Sequence, residues 1–142
     1  DSIQAMVISE HGENMLPLIR FSSLGGIPLT DFITTKQSED LIDKTKKAAA
    51  EVISLKGATV YAPGNAVATM VESIVKNKKT ILPVSALLEG EYGYSDVCIG
   101  VPCVIGSEGI EKIVELKLNE DEMKVFDLGV NSVKNAIKSV SM

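Results

Sequence analysis

The chain has 142 residues, a length that fits one domain. An apolar fraction of 45% supplies a core, so nothing reads as disordered. A net charge of −5 without a basic stripe argues against nucleic-acid binding, and no apolar run approaches the ~20 residues that span a bilayer.

Met6 to Ile8 form a short apolar run that stops at Ser9 and Gly12, which reads as a strand ending in a loop. "NMLPLIRFSSLGG" gives a second extended segment, closed by Gly25 and Gly26. The stretch after it is irregular, with Pro28 inside. Over about 36–55 the pattern turns helical. Leu41, Thr45, Ala48, Val52 and Leu55 recur in steps of four and three and share one apolar stripe. Ile42, Ala49 and Ile53 widen that stripe, and Gly57 stops the helix. A second helix is expected from Pro63, which suits the first helical position, to about Lys76. Val67, Met70, Val71 and Ile74 are assigned to its buried side.

"KTILPVSALLEG" reads as a strand, with Pro83 marking an edge or a bulge. "VCIGVPCVIG" is a second strand, and "IEKIVELKL" returns as a third after a turn. Cys98 and Cys103 are five apart in one strand, so they face opposite ways and are poorly placed for a disulfide or a shared metal. A reducing cytoplasm is the natural setting. Asn119 with Glu122 three residues on completes a capping-box pattern. The final helix follows, with Met123, Phe126, Val130, Val133, Ile137 and Val140 on its apolar stripe. Adjacent strands joined by short turns, with helices beside them, make the expected class α+β with a mostly antiparallel sheet.

Few residues carry chemistry by type. "GSEG" and "SLGG" do not fit the dinucleotide-binding glycine fingerprint, and no cluster has metal-ligand spacing. His11 is the sole histidine, and histidine is the side chain suited to acid/base work near neutral pH. The alternative is an ordinary polar residue at a strand end.

The surrounding letters weigh on that choice. "AMVISEHGENMLPLIRFSS" resembles the lactate/malate dehydrogenase family where its catalytic histidine is followed by glycine, an acidic residue and "PL". "KGATVYAPGNAVATMVESI" and "ILPVSALLEGEYGYSDVCIGVPCVIGSEGIEKIVEL" resemble the malate-type branch of the same family, in the same order. The resemblance covers nearly the whole chain and implies the family's C-terminal, substrate-side domain over residues 1–142. It also implies that the NAD-binding N-terminal domain, the aspartate that orients the histidine and the arginines that clamp substrate lie before Asp1.

The implied reaction interconverts malate and oxaloacetate with NAD. His11 gives its proton to the carbonyl oxygen in one direction and takes the hydroxyl proton in the other. Thr59 falls beside the bound substrate, where its hydroxyl can donate to a carboxylate. An ordinary turn threonine is the competing reading. Pro63 falls where an apolar residue packs against the nicotinamide ring, while also starting a helix. Arg20, the sole arginine, is assigned to packing or an interface, and Tyr92 and Tyr94 to structure. Ser9 stands where many relatives have glycine, and Glu13 where many have aspartate. A small-molecule substrate and a homo-oligomer, dimer or tetramer, are expected, with no nucleic-acid or membrane partner. The alternatives are a lactate dehydrogenase domain, or a non-catalytic module of the same fold.

Overall fold

The computed structural model describes residues 2–140. Along the chain run β1 (Ile3–Gln4), β2 (Val7–Ser9), β3 (Met15–Pro17), a 3-10 turn over Ile19–Phe21, β4 (Ser23–Leu24), β5 (Ile27–Pro28) and a second 3-10 turn over Leu29–Asp31. Two helices follow, α1 (Thr35–Lys56) and α2 (Tyr61–Val75). Then come β6 (Thr80–Glu89), β7 (Ser95–Gly106), β8 (Gly109–Ile113) and α3 (Glu120–Val140). The strands form a small sheet in the order β1-β4-β5 and a larger one in the order β3-β2-β7-β6, with β8 also on β7. The described pairings are antiparallel, and the class is α+β as expected.

The core is set by the period-two pattern of β7. Val97, Ile99, Val101, Cys103 and Ile105 lie on one buried face, while Cys98 points to solvent. The two cysteines therefore part as their odd spacing requires, and both are free. Val84, Ala86 and Leu88 of β6 extend the same layer, and Phe126 and Val130 of α3 close over it. The Tyr92 ring sits 4.9 Å from that of Phe126. Phe126 is fully buried, so truncating it to alanine costs ~3–5 kcal/mol. Pro83 lies in β6, which pairs with β7 alone among the described strands, so proline occupies an edge.

The second extended segment is interrupted. The buried Ser22 hydroxyl accepts from Met6 N–H at 3.1 Å and donates to the Leu18 carbonyl at 2.8 Å. These bonds close the first 3-10 turn and send the chain from the large sheet to the small one.

α1 forms as expected, and the expectations for α2 need correction. α1 starts where Thr34 and Gln37 form a capping box and ends at Gly57, whose φ of 82° suits glycine. Yet α1 buries none of its residues, and Leu55 is 80% exposed. Its stripe is apolar, with Ile42, Thr45 and Val52 half-buried and Leu41, Ile53 and Leu55 exposed. α2 begins at Tyr61, so Pro63 is its third residue; the missing N–H still falls in the first turn, where such groups lack helical partners. Only the end of α2 reaches the core. Ser73 is buried and donates to the Ile105 carbonyl at 2.8 Å, with Met70 and Ile74 packed alongside. Val67 and Val71, expected inside, are 59% and 51% exposed.

The third late strand is shorter than expected. Pro102 of β7 accepts from Val114 N–H at 2.8 Å but has no N–H to return, and β8 stops at Ile113. Leu116 N–H then donates to the Tyr92 hydroxyl at 2.9 Å, and that hydroxyl donates to the Val114 carbonyl at 3.1 Å. The Asn119–Glu122 capping box forms as expected, with bonds of 2.8 and 2.9 Å. No helix of the described residues is long and apolar enough to cross a membrane.

Candidate active site

His11 follows the end of β2, and the neighbouring packing determines where it stands. Ser9 pairs with Met15 of β3 and Gly100 of β7. Gly100 has no side chain for a reason: a Cβ there would come 2.7 Å from the Ser9 carbonyl oxygen. On the other side, a Cβ on Gly129 of α3 would overlap the Ser9 hydroxyl. Ser9 is thus wedged between sheet and helix, with a left-handed φ of 76°. A glycine would suit that conformation better.

Residues 10–14 form the turn that carries His11. Met15 N–H donates to the Gly12 carbonyl at 3.2 Å. Asn14 Nδ2 donates to Glu10 Oε2 at 2.6 Å, and Ser132 Oγ on α3 donates to Glu10 Oε1 at 2.9 Å. The Asn14 bond is the main cause that holds the Glu10 carboxyl below its ordinary range; burial opposes it and the Ser132 bond assists. His11 is exposed, and its imidazole makes no hydrogen bond or ion pair with any described residue.

Thr59 lies half-buried in the link between α1 and α2, and its hydroxyl bonds no described residue. Pro63 is exposed in the first turn of α2. No hydrogen bond joins either to His11. Two concavities lie elsewhere. One of about 400 Å³ is lined by Leu118, Met123 and Asp127 among others. The other, about 620 Å³, lies between the first 3-10 turn and the starts of α1 and α3. Among the described residues no group of histidine, cysteine and acidic side chains can hold a metal ion.

Arg20 lines the second concavity but is engaged. Its Nε donates to Glu122 Oε1 at 2.8 Å, a second guanidinium nitrogen donates to Glu122 Oε2 at 2.7 Å, and it also donates to the Lys117 carbonyl. This forked pairing ties the β3 side to the start of α3, a packing role. Tyr92 is buried, and Tyr94 donates to Asp127 Oδ1 at 2.7 Å, so both brace structure. The clamp of Glu10, Asn14 and Ser132 was not anticipated. The spacing of four between Glu10 and Asn14 is visible in sequence, but Ser132 lies 122 residues away from Glu10.

In chemical terms, an anchored turn presents an unpaired imidazole to solvent. It can exchange a proton with a bound molecule, and it can turn without breaking any bond within the described residues.

Comparison with known proteins supplies the context. Residues 1–142 match the family described as lactate/malate dehydrogenase, alpha/beta C-terminal domain. The malate dehydrogenase of Roseiflexus sp. (strain RS-1) is 42% identical over 142 residues, covering 99% of this chain and 46% of that protein. The solved malate dehydrogenase from Salinibacter ruber superposes with a TM-score of 0.95 at 37% identity, covering 99% of this chain and 46% of that one. A lactate dehydrogenase from Eimeria maxima, solved with NADH and oxamate, superposes with a TM-score of 0.93 at 37% identity, with the same coverage of 99% and 46%. The chain spans about half the length of the curated relatives it matches. It belongs to the lactate/malate dehydrogenase family, as the alpha/beta C-terminal domain.

Proposed function

We propose that this chain is the substrate-side domain of an NAD-dependent malate dehydrogenase, with a separate nucleotide-binding domain completing the enzyme. The enzyme interconverts malate and oxaloacetate, the malate step of the tricarboxylic acid cycle. The observation that carries the reading is His11: an imidazole with no partner among the described residues, on a turn anchored to both sheet and helix. Reduction of a 2-oxo acid leaves negative charge developing on the carbonyl oxygen, and a placed imidazolium meets it with a proton. In the oxidative direction the neutral imidazole takes the hydroxyl proton. Thr59, with its hydroxyl unbonded within the described residues, donates to a substrate carboxylate.

NAD supplies or accepts the hydride. The fit of this chain to the cofactor is partial. Pro63 offers an exposed apolar surface suited to a ring face, while no glycine-rich phosphate loop is present in the sequence. The cofactor is therefore held mainly by the other domain. The exposed part of the α1 stripe supports a homo-oligomer, dimer or tetramer. Two free cysteines support a cytoplasmic setting.

The test is NADH oxidation by the full-length enzyme with oxaloacetate or pyruvate. A preference for oxaloacetate of about 100-fold or more in kcat/KM is expected, because a site built for a second carboxylate rejects a methyl group. A preference for pyruvate makes the enzyme a lactate dehydrogenase. Turnover of neither makes the domain a binding module.

A further inference from the structure

One carboxylate spans the turn that carries His11. Glu10 Oε2 takes a hydrogen from Asn14 at 2.6 Å and closes that turn upon itself. Glu10 Oε1 takes one from Ser132 at 2.9 Å and ties the turn to α3. Gly12 belongs to the same device, since a Cβ there would stand 3.2 Å from Glu10 Oε1. The preceding residue, Ser9, is wedged against Gly129 of the same helix. The backbone around His11 is held on both sides, while its imidazole has no orienting bond from the described residues. What this domain contributes to its placement toward a bound molecule is then the backbone.

From this we infer that Glu10 is a positioning residue for His11: its two hydrogen bonds, to Asn14 and to Ser132, fix the stretch of chain from which the imidazole reaches substrate. The inference rests on the proton-transfer role of His11 argued above. Glu10 touches neither substrate nor cofactor in this scheme, and it acts through geometry rather than charge. Glutamine separates the two. Its amide oxygen can accept from Asn14 and its amide N–H can donate to the Ser132 hydroxyl, so the clamp survives without the charge. Alanine keeps neither bond.

The experiment compares variants of the full-length enzyme. Glu10→Ala is expected to lower kcat for oxaloacetate reduction on the order of 10- to 100-fold, the scale of a small misplacement of a reacting group. NADH affinity should stay within about two-fold, because the loss falls on the chemical step. Glu10→Gln is expected to return kcat to within about three-fold of wild type. Ser132→Ala, which removes the helix arm alone, should give an intermediate loss, and it carries the test if the Glu10→Ala variant does not fold. Three results overturn the inference: a Glu10→Ala enzyme as fast as wild type per folded molecule, a Glu10→Gln enzyme as slow as the alanine variant, or a Ser132→Ala enzyme with unchanged kcat. Retained turnover in His11→Asn would instead overturn the role of His11 itself, so the two failures are distinct.

Discussion

Gly129 of α3 stands where any Cβ would overlap the hydroxyl of Ser9. The pair is the point at which β2 meets α3, just before the turn that carries His11. Ser9 is buried, its hydroxyl has no hydrogen-bond partner among the described residues, and its φ is 76°. Gly129→Ala is expected to destabilise by ~1–3 kcal/mol, because Glu10 N at 3.2 Å and Glu10 Cβ at 3.4 Å leave little room to yield. Ser9→Gly is expected to stabilise by about 1 kcal/mol. It relieves a left-handed non-glycine residue and an unpaired buried hydroxyl, against a smaller entropic cost for glycine. In the double variant the loss and the gain should not simply add, since the two sites touch. Thermal unfolding of the four proteins checks all three statements, and a lower midpoint for Ser9→Gly would refute the strain argument.

Glu122 gives a pH prediction. Its carboxyl is held below the ordinary range chiefly by the Arg20 hydrogen bond, with help from the backbone of Asn119 and against the effect of burial. A depressed folded-state value means the contribution is present at neutral pH and is lost as pH falls through that lowered value. The Arg20 side chain is 41% exposed and that of Glu122 14%, so solvent screens the pair. Glu122→Gln should therefore cost only about 1 kcal/mol near pH 7. The difference from wild type should shrink as the pH drops below the ordinary carboxylate range. Urea unfolding at neutral and at acid pH measures this; a gap that widens in acid would reverse the sign and sink the assignment.

Tyr92→Phe tests the staple that replaces the missing end of β8. The hydroxyl accepts from Leu116 N–H at 2.9 Å and donates to the Val114 carbonyl at 3.1 Å, both partly buried. Removing it leaves a backbone donor without its partner, which costs ~1–3 kcal/mol, while the ring keeps its contact with Phe126. The Leu116 amide should exchange with solvent markedly faster in the variant. Unchanged exchange would mean that water already serves that group.

The contrast between these sites marks what sequence can show. The Asn119–Glu122 box was legible because both partners lie within one turn of chain. The buried face of β7 was legible because alternation fixes it, as was the separation of Cys98 from Cys103. The apolar stripe of α1 was legible as a stripe, whereas the exposure of Val67 and Val71 on α2 was not: periodicity says which side is apolar, never whether this chain covers it. The end of β8 depended on Pro102 and Tyr92, one on a neighbouring strand and the other in a distant turn. At the candidate site, His11 was found by type and context. Its anchorage was hidden, because Glu10 and Ser132 meet only through the fold and nothing in the letter Ser9 announces a left-handed residue.

His11→Asn in the full-length enzyme separates chemistry from structure. His11 is exposed and bonds no described residue, so its loss should change stability by less than about 0.5 kcal/mol. The clamp of Glu10, Asn14 and Ser132 does not involve the imidazole, so the turn should keep its shape. NADH affinity should survive, because in the proposed reading the cofactor is held mainly by another domain. Turnover should not survive. Asparagine has neither a transferable proton near neutral pH nor a charged donor for the carbonyl oxygen, and a placed general acid contributes ~100- to 10,000-fold. The expected result is an enzyme that folds and binds NADH as wild type does, with kcat lower by at least that range's lower limit. Steady-state kinetics with oxaloacetate, beside a thermal melt and an NADH titration, measure the three quantities together. An asparagine variant that turns over within a few-fold of wild type would return His11 to the status of an ordinary residue at a strand end.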